Sequence, residues 1–335
     1  MIINTIEEVR LYLPNHRLDD IQGLKGFIDS SERDFLADKL GAELYDAVCE
    51  KYNEIHHEEL FPESSKSWTE WHKLIRAAQP VVVFDALYRS ADLNVISLNE
   101  AGMNIASSEN YDAAGEKLIE KFKSRCNTES HRAVDRMLVL LEIWAQEVGT
   151  LSDEPEEEET EMKQIVRLWK KSRYYYEDSS LFISTATQMQ QYLDIYESRE
   201  KFVSLIPQLR YIQSVLIEGE IGSSFVSYLI KAQKEGKLKE QEKILVEKIC
   251  WWTAFAVESR SKMFNRSEAT EDAIKMRQNS IGFIQQHYAD FSANIGIDSP
   301  LYVAPVEETT SDTPKWENNL PGNKLFVTPS IDSKL

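Results

Sequence analysis

A weak internal recurrence limits this chain to a narrow set of folds. It reads Ile3-Asn4-Thr5-Ile6-Glu7-Glu8-Val9 on the way to Tyr12 and Leu13, and 180 residues later Ile183-Ser184-Thr185-Ala186-Thr187-Gln188-Met189 on the way to Tyr192 and Leu193. In each copy a threonine precedes Glu8 or Gln188 by three positions. At that spacing a hydroxyl and a carboxylate or amide satisfy the first free backbone donors of a helix. After a one-residue insertion Leu24 falls opposite Leu205, Ile28 opposite Leu209, Leu40 opposite Ile221 and Gly41 opposite Gly222. Such a chain is expected to fold as two like helical modules, with chance similarity between amphipathic helices as the alternative.

The sequence that follows each copy also reads as helical. Val134, Met137, Leu138, Leu141, Trp144 and Val148 recur at three and four, as do Ile244, Leu245, Ile249, Trp252, Phe255 and Ala256. Only 12 glycines and 10 prolines punctuate 335 residues. The fold class expected is all-α. The exception is Asn94 to Ile105, where two short β-favouring runs flank Asn99–Gly102 and suggest a small hairpin, an ordered loop being the other reading.

Charge suggests where to divide the chain. Residues 1–150 carry 16 basic and 27 acidic side chains, while 151–161 carry seven acidic and no basic ones. Residues 162–297 carry 19 and 16, and 298–335 carry three and six. The run Asp153 to Glu161 repels itself and has no apolar face to bury, so it reads as a solvated linker. The expected division is a module over 1–150, a linker over 151–161, a second module over 162–297 and an extended C-terminal arm over 298–335. Net charges of −11 and +3 on the two modules suggest subunits that meet unlike face to unlike face. The whole-chain charge of −18 argues against a broad nucleic-acid-binding surface.

Motifs that carry chemistry are scarce. Glu54 and His57 give one Glu-x-x-His spacing beside His56, Glu58 and Glu59, but a di-iron bundle needs two such pairs, and His16, His72, His131 and His287 supply no second. Gly219-Glu220-Ile221-Gly222 lacks the lysine and spacing of a P-loop, and Gly222 reads instead as a break between consecutive helices. No Cys-x-x-Cys, nucleophile elbow or dinucleotide fingerprint occurs, so neither an enzyme nor a cofactor is expected. Cys49, Cys126 and Cys250 are dispersed and read as reduced and structural. No apolar run is long enough to span a membrane and no secretory leader is visible, which makes a cytoplasmic residence the expectation.

Two segments suggest partner contact. Lys163, Arg167, Lys170, Lys171 and Arg173 are interleaved with Trp169 and Tyr174 to Tyr176. Such a mixture can stack on single-stranded nucleic acid, but beside so much acid it is read as a protein contact. The C-terminal arm holds Trp316, Leu325, Phe326 and Val327 among polar residues, which suits a segment that becomes ordered on a partner or against its own domain.

The succession Ile28, Ser31-Glu32, Phe35-Leu36, Leu40-Gly41 and Leu44-Tyr45, then a long helix through Ala86-Leu87 and a hairpin, resembles the head-tail connector (adaptor) proteins of tailed bacteriophages, in particular a branch encoded by phages and prophages of gut bacteria. The resemblance covers residues 3 to about 149 best and the second half more faintly. It implies a helical virion protein, assembled in the bacterial cytoplasm as a homo-oligomeric ring that joins portal and tail while DNA passes without specific binding. It implies no catalytic residue. Greater length, the apparent duplication and the C-terminal arm depart from the single-module pattern. An intracellular helical scaffold unrelated to virions is the second expectation, and a metal-dependent enzyme near His56 the third.

Overall fold

Two threonine caps open the two halves. Thr5 accepts the Glu8 amide at the start of α1 (Ile6–Arg10), and Thr185 accepts the Gln188 amide at the start of α8 (Ala186–Tyr192). In a computed structural model, residues 1–13, 20–55, 57–91, 96–99, 102–105, 116–149, 151, 159–176, 180–261 and 268–304 are described. The architecture is all-helical. Ile96–Asn99 pairs antiparallel with Gly102–Ile105 in the connection between two long helices, the two residues joining them lying outside the described residues. The arm residues Trp316, Leu325, Phe326 and Val327 also lie outside them, as does His56.

In the first half α2 (Gln22–Ser31) runs into a π-helical turn over Glu32–Leu36, then the single turn α3 (Ala37–Leu40), Gly41, and α4 (Ala42–Glu54). The second half has α9 (Arg199–Tyr211), a π-helical turn over Ile212–Ile217, α10 (Glu218–Ile221), Gly222 and α11 (Ser223–Lys234). The π turns have the same neighbours. At the first, Glu32 accepts the Ile2 amide at 2.8 Å; at the second, Gln213 accepts the Phe182 amide at 3.2 Å and donates to the Ser180 carbonyl at 2.7 Å. In both halves a side chain of the π turn thus ties down the segment that enters the module.

Each half then builds an antiparallel pair of long helices, α5 (Glu70–Ser90) with α6 (Glu116–Val148) and α12 (Glu240–Arg260) with α13 (Ala269–Gln286). Shifted by 171, the buried positions of α12 fall on those of α5: Leu245 on Leu74, Val246 on Ile75, Ile249 on Ala78, Trp252 on Val81 and Val257 on Ala86. Pro80 lies inside α5 and leaves the Arg76 carbonyl without its helical donor. The Tyr12 hydroxyl, 3.3 Å away, supplies one.

Each half ends by crossing its own glycine. Gly41 (φ 83°, ψ 151°) and Gly222 (φ 90°, ψ 141°) hold a backbone conformation nearly closed to other residues. A Cβ on Gly41 would meet Ser172 Cα at 3.2 Å, and one on Gly222 would meet Ser299 Cα at 2.9 Å. Both serines close a turn on the amide two residues ahead, Tyr174 at 3.1 Å and Leu301 at 3.1 Å. Gly222 has no side chain to cap α11, and Asp298 does so from outside, accepting from the Ser224 amide and Ser223 hydroxyl at 2.9 Å each. That fixes the Gly222-Ser223-Ser224 turn as a helix break whose anion is the chain's own carboxylate.

The boundary between the two cores differs from the one the charge pattern suggests. Ile165, Val166 and Trp169 of α7 (Glu161–Trp169), together with Tyr174, lie in the first core; the second begins at Tyr176. The acidic run therefore precedes a helix of the first module rather than the boundary between the two, because α7 has an apolar face that α4, α5 and α6 bury. Ser299, Leu301 and Tyr302 likewise belong to the second module rather than to an arm. With these limits, residues 1–176 carry 21 basic and 34 acidic side chains and residues 180–304 carry 14 and 15. The +3 of the second half disappears, since five of its cations, Lys163 to Arg173, belong to the first.

Candidate functional site: the module junction

The two modules meet where the N-terminus of α9 lies against α3 and α6. The Arg199 amide donates to Asp135 of α6 at 2.9 Å, and its guanidinium donates to both Glu142 carboxylate oxygens at 3.2 to 3.3 Å. Side-chain exposures of 11% and 9% make this a buried ion pair. Tyr176, at the start of the second core, donates its hydroxyl to the same Glu142. One residue along, Glu200 pairs with Lys39 at 2.9 Å and with the ring Nδ1 of His131. Lys39 is itself buried, held by Asp38 at 3.0 Å and the Tyr174 hydroxyl at 2.9 Å, with its ammonium over the Phe35 and Tyr174 rings. Val203 is the apolar centre and packs against both cores.

Burial alone would raise the Glu200 carboxyl, but His131 and Lys39 outweigh it and hold it below the usual range. The hydrogen bond to Glu200 raises His131. Burial raises Asp135. Burial would lower Lys39, yet the Tyr174 hydroxyl and Glu200 raise it, keeping the ammonium charged. Such a network favours one mutual orientation of the modules, because displacing α9 leaves buried charges unpaired.

Beside this network opens a cleft of about 930 Å³ whose lining includes Lys39, Lys170, Arg173, Arg210 and Tyr174 to Tyr176, with Glu200 the acid among them. Of the basic residues singled out in the sequence, Lys170 and Arg173 face this cleft. Lys170 lies over the Tyr175 ring, and Arg173 donates to Asp38 at 2.8 Å. Arg167 instead grips Glu159, at the end of the acidic run, through three contacts of 2.7 to 3.3 Å, and Lys171 pairs with Glu43 of α4. Lys163 lies in the first turn of α7. Trp169 and Tyr174 are buried, so they present no stacking platform.

Sequence reasoning did not find the network of Lys39, His131, Asp135, Glu142, Arg199 and Glu200, which come from three distant stretches of the chain and belong to no motif. Among the described residues, no group of three or more His, Cys, Asp and Glu side chains could hold a metal ion. His72 caps α5 through Thr69 and faces Glu59 at 3.5 Å. No helix of the described residues is long and apolar enough to cross a membrane. Comparison of the chain with family models, curated proteins and solved structures found no match.

Proposed function

We propose that this chain is a structural subunit that works by protein-protein contact, an adaptor ring component joining portal and tail in the neck of a tailed phage and letting DNA pass. One observation carries the reading: two modules of like construction meet in one chain through unlike faces, the start of α9 on one side and α3 with α6 on the other. That is the geometry of a heterologous contact, which closes into a ring when the rotation between successive units is right. We read the modules as the product of one duplication, on the paired caps, π turns, glycines and closing serines. The first module also carries the paired strands, and the C-terminal segment, whose residues 305–335 lie outside the described residues, is proposed as a further contact to a neighbouring protein.

The acid excess of the first module suits a channel wall, because a like-charged surface does not retain passing DNA. The test is electron microscopy of the purified protein together with mass spectrometry of purified phage particles. Rings, and the protein present in particles in a fixed ratio to portal, are expected. A monomer at every concentration, absent from particles, would end the reading. The basic, tyrosine-lined cleft favours a second reading, a scaffold that takes up an acidic peptide. Binding of an acidic peptide that is abolished by Arg210→Glu, in a protein that never enters particles, would decide for it.

A further inference from the structure

The face that the first module uses at the junction exists again on the second. Phe35 and His131 are in ring contact at 5.7 Å, and at the corresponding positions Leu216 and Ile274 line one groove. Ser130 donates to the Val81 carbonyl at 3.3 Å, and Ala273 and Trp252, their counterparts, line the same groove. Arg89 donates to Ser30 at 3.1 Å, and its counterpart Arg260 lies 4.6 Å over the ring of Tyr211, the counterpart of Ser30. Three independent helix registers agree on one superposition. They place Leu216, Glu220 and Ile274 where Phe35, Lys39 and His131 lie in the first module.

The first copy of this face is covered by residues 199–203 of α9. On the second copy Val215 and Ile274 each remain 50% exposed beside a groove of about 210 Å³ floored by Trp252. Chemistry runs opposite to what cover within the chain requires. Asp34 and His131 occupy the first module at the positions where the second has Val215 and Ile274. Exposed apolar side chains clustered at a groove mark a surface that another protein covers.

We propose that this groove binds the first module of a second copy of the chain, whose α2 start (Asp20, Ile21 and Gln22, the counterparts of residues 201–203) seats as those residues seat within one chain. The proposal rests on the structural-subunit reading and names its subunit contact. The occupant follows from the internal junction, since α2 is the first-module counterpart of α9. The contact is head-to-tail, so each copy offers one groove and one ridge.

The test is native mass spectrometry and sedimentation of the full chain across concentration. Val215→Asp with Ile274→Asp should weaken self-association about 100-fold, roughly tenfold for each apolar contact turned polar. Both side chains are half exposed, so the variant should keep its helical circular dichroism; Ile274→Ser alone is the milder check, at about tenfold. Gly23→Trp, at an exposed helical glycine next to Gln22 with no atom within 4 Å of an added Cβ, bulks the edge of the ridge without entering the core. Mixed together, groove-blocked and ridge-blocked copies should form a one-to-one heterodimer and stop there. Self-association unchanged by the groove substitutions, a mixture that forms no heterodimer, or a wild-type chain that stays monomeric would each overturn the proposal. Self-association through the groove by a protein absent from particles would uphold it while ending the virion role.

Discussion

Cutting the Arg199–Glu142 pair should release the modules from one another before either unfolds. The two side chains are 11% and 9% exposed, and the guanidinium makes three contacts of 3.2 to 3.3 Å to the carboxylate. Removing one partner from such a pair leaves the other buried and unpaired, which costs about 3–5 kcal/mol. Arg199→Met should therefore destabilise the junction by about that amount, and so should Glu142→Leu. The double variant should recover most of the loss, because no orphan charge remains; the coupling between the two sites should be at least about 2 kcal/mol. Urea unfolding followed by tryptophan fluorescence and circular dichroism reads this directly. Trp144 and Trp169 report on the first core and Trp252 on the second. Each single variant should separate their transitions, whereas the double variant should bring them back together. Single losses below about 1 kcal/mol that add in the double variant would show a surface-like pair, and the junction would not hold the modules in one orientation.

Gly222→Ala should destabilise the second module more than Gly41→Ala destabilises the first. Both add strain of about 1–3 kcal/mol at a positive φ, but the new Cβ meets Ser299 Cα at 2.9 Å in one case and Ser172 Cα at 3.2 Å in the other; the midpoints of the two fluorescence transitions give the order. His131 is raised by Glu200, so its contribution is complete below the unfolded value of about 6.5 and fades as pH rises through the folded value. Glu200 is lowered, so its contribution fades only as pH falls below about 4.3 and through its folded value. Urea midpoints of the wild type should fall between pH 6 and pH 8 relative to those of His131→Gln, and parallel curves would refute the assignment. Cys126 and Cys250 are buried and pushed up by burial to about 11 and about 12. Iodoacetamide followed by mass spectrometry should modify Cys49 first, and early labelling of Cys250 would show that the second core opens.

What the sequence reveals of this fold divides by range. The caps at Thr5 and Thr185, the helix runs and the breaks at Gly41 and Gly222 are local events, fixed within three or four residues, and their spacing alone reveals them. The module boundary is not local. Helix α7 has one apolar face, and nothing in Ile165, Val166 or Trp169 tells whether that face turns back to α5 and α6 or forward to α9. The acidic run before it reads as a hinge because self-repelling sequence offers no apolar face, and that is equally true between modules and inside one. The junction is hardest to see, because Lys39, His131, Glu142, Arg199 and Glu200 become a network only after three helices have packed.

Moving that boundary reverses the expected effect of salt. Divided at the acidic run, the modules carry −11 and +3 and should attract, so salt should weaken assembly. Divided at Tyr174–Tyr176, they carry −13 and −1, and two copies of a chain with a net charge of −18 repel at long range. The groove that we propose as the subunit contact presents Val215 and Ile274, whose burial does not depend on ionic strength. Raising salt from 0.05 to 0.5 M shortens the screening length from about 14 Å to about 4 Å. Repulsion between approaching copies then fades while the apolar contact remains. Self-association measured by sedimentation should strengthen or hold steady over that range. A steady weakening with salt would mean that unlike charges draw the subunits together, and would move the contact away from the Val215–Ile274 groove.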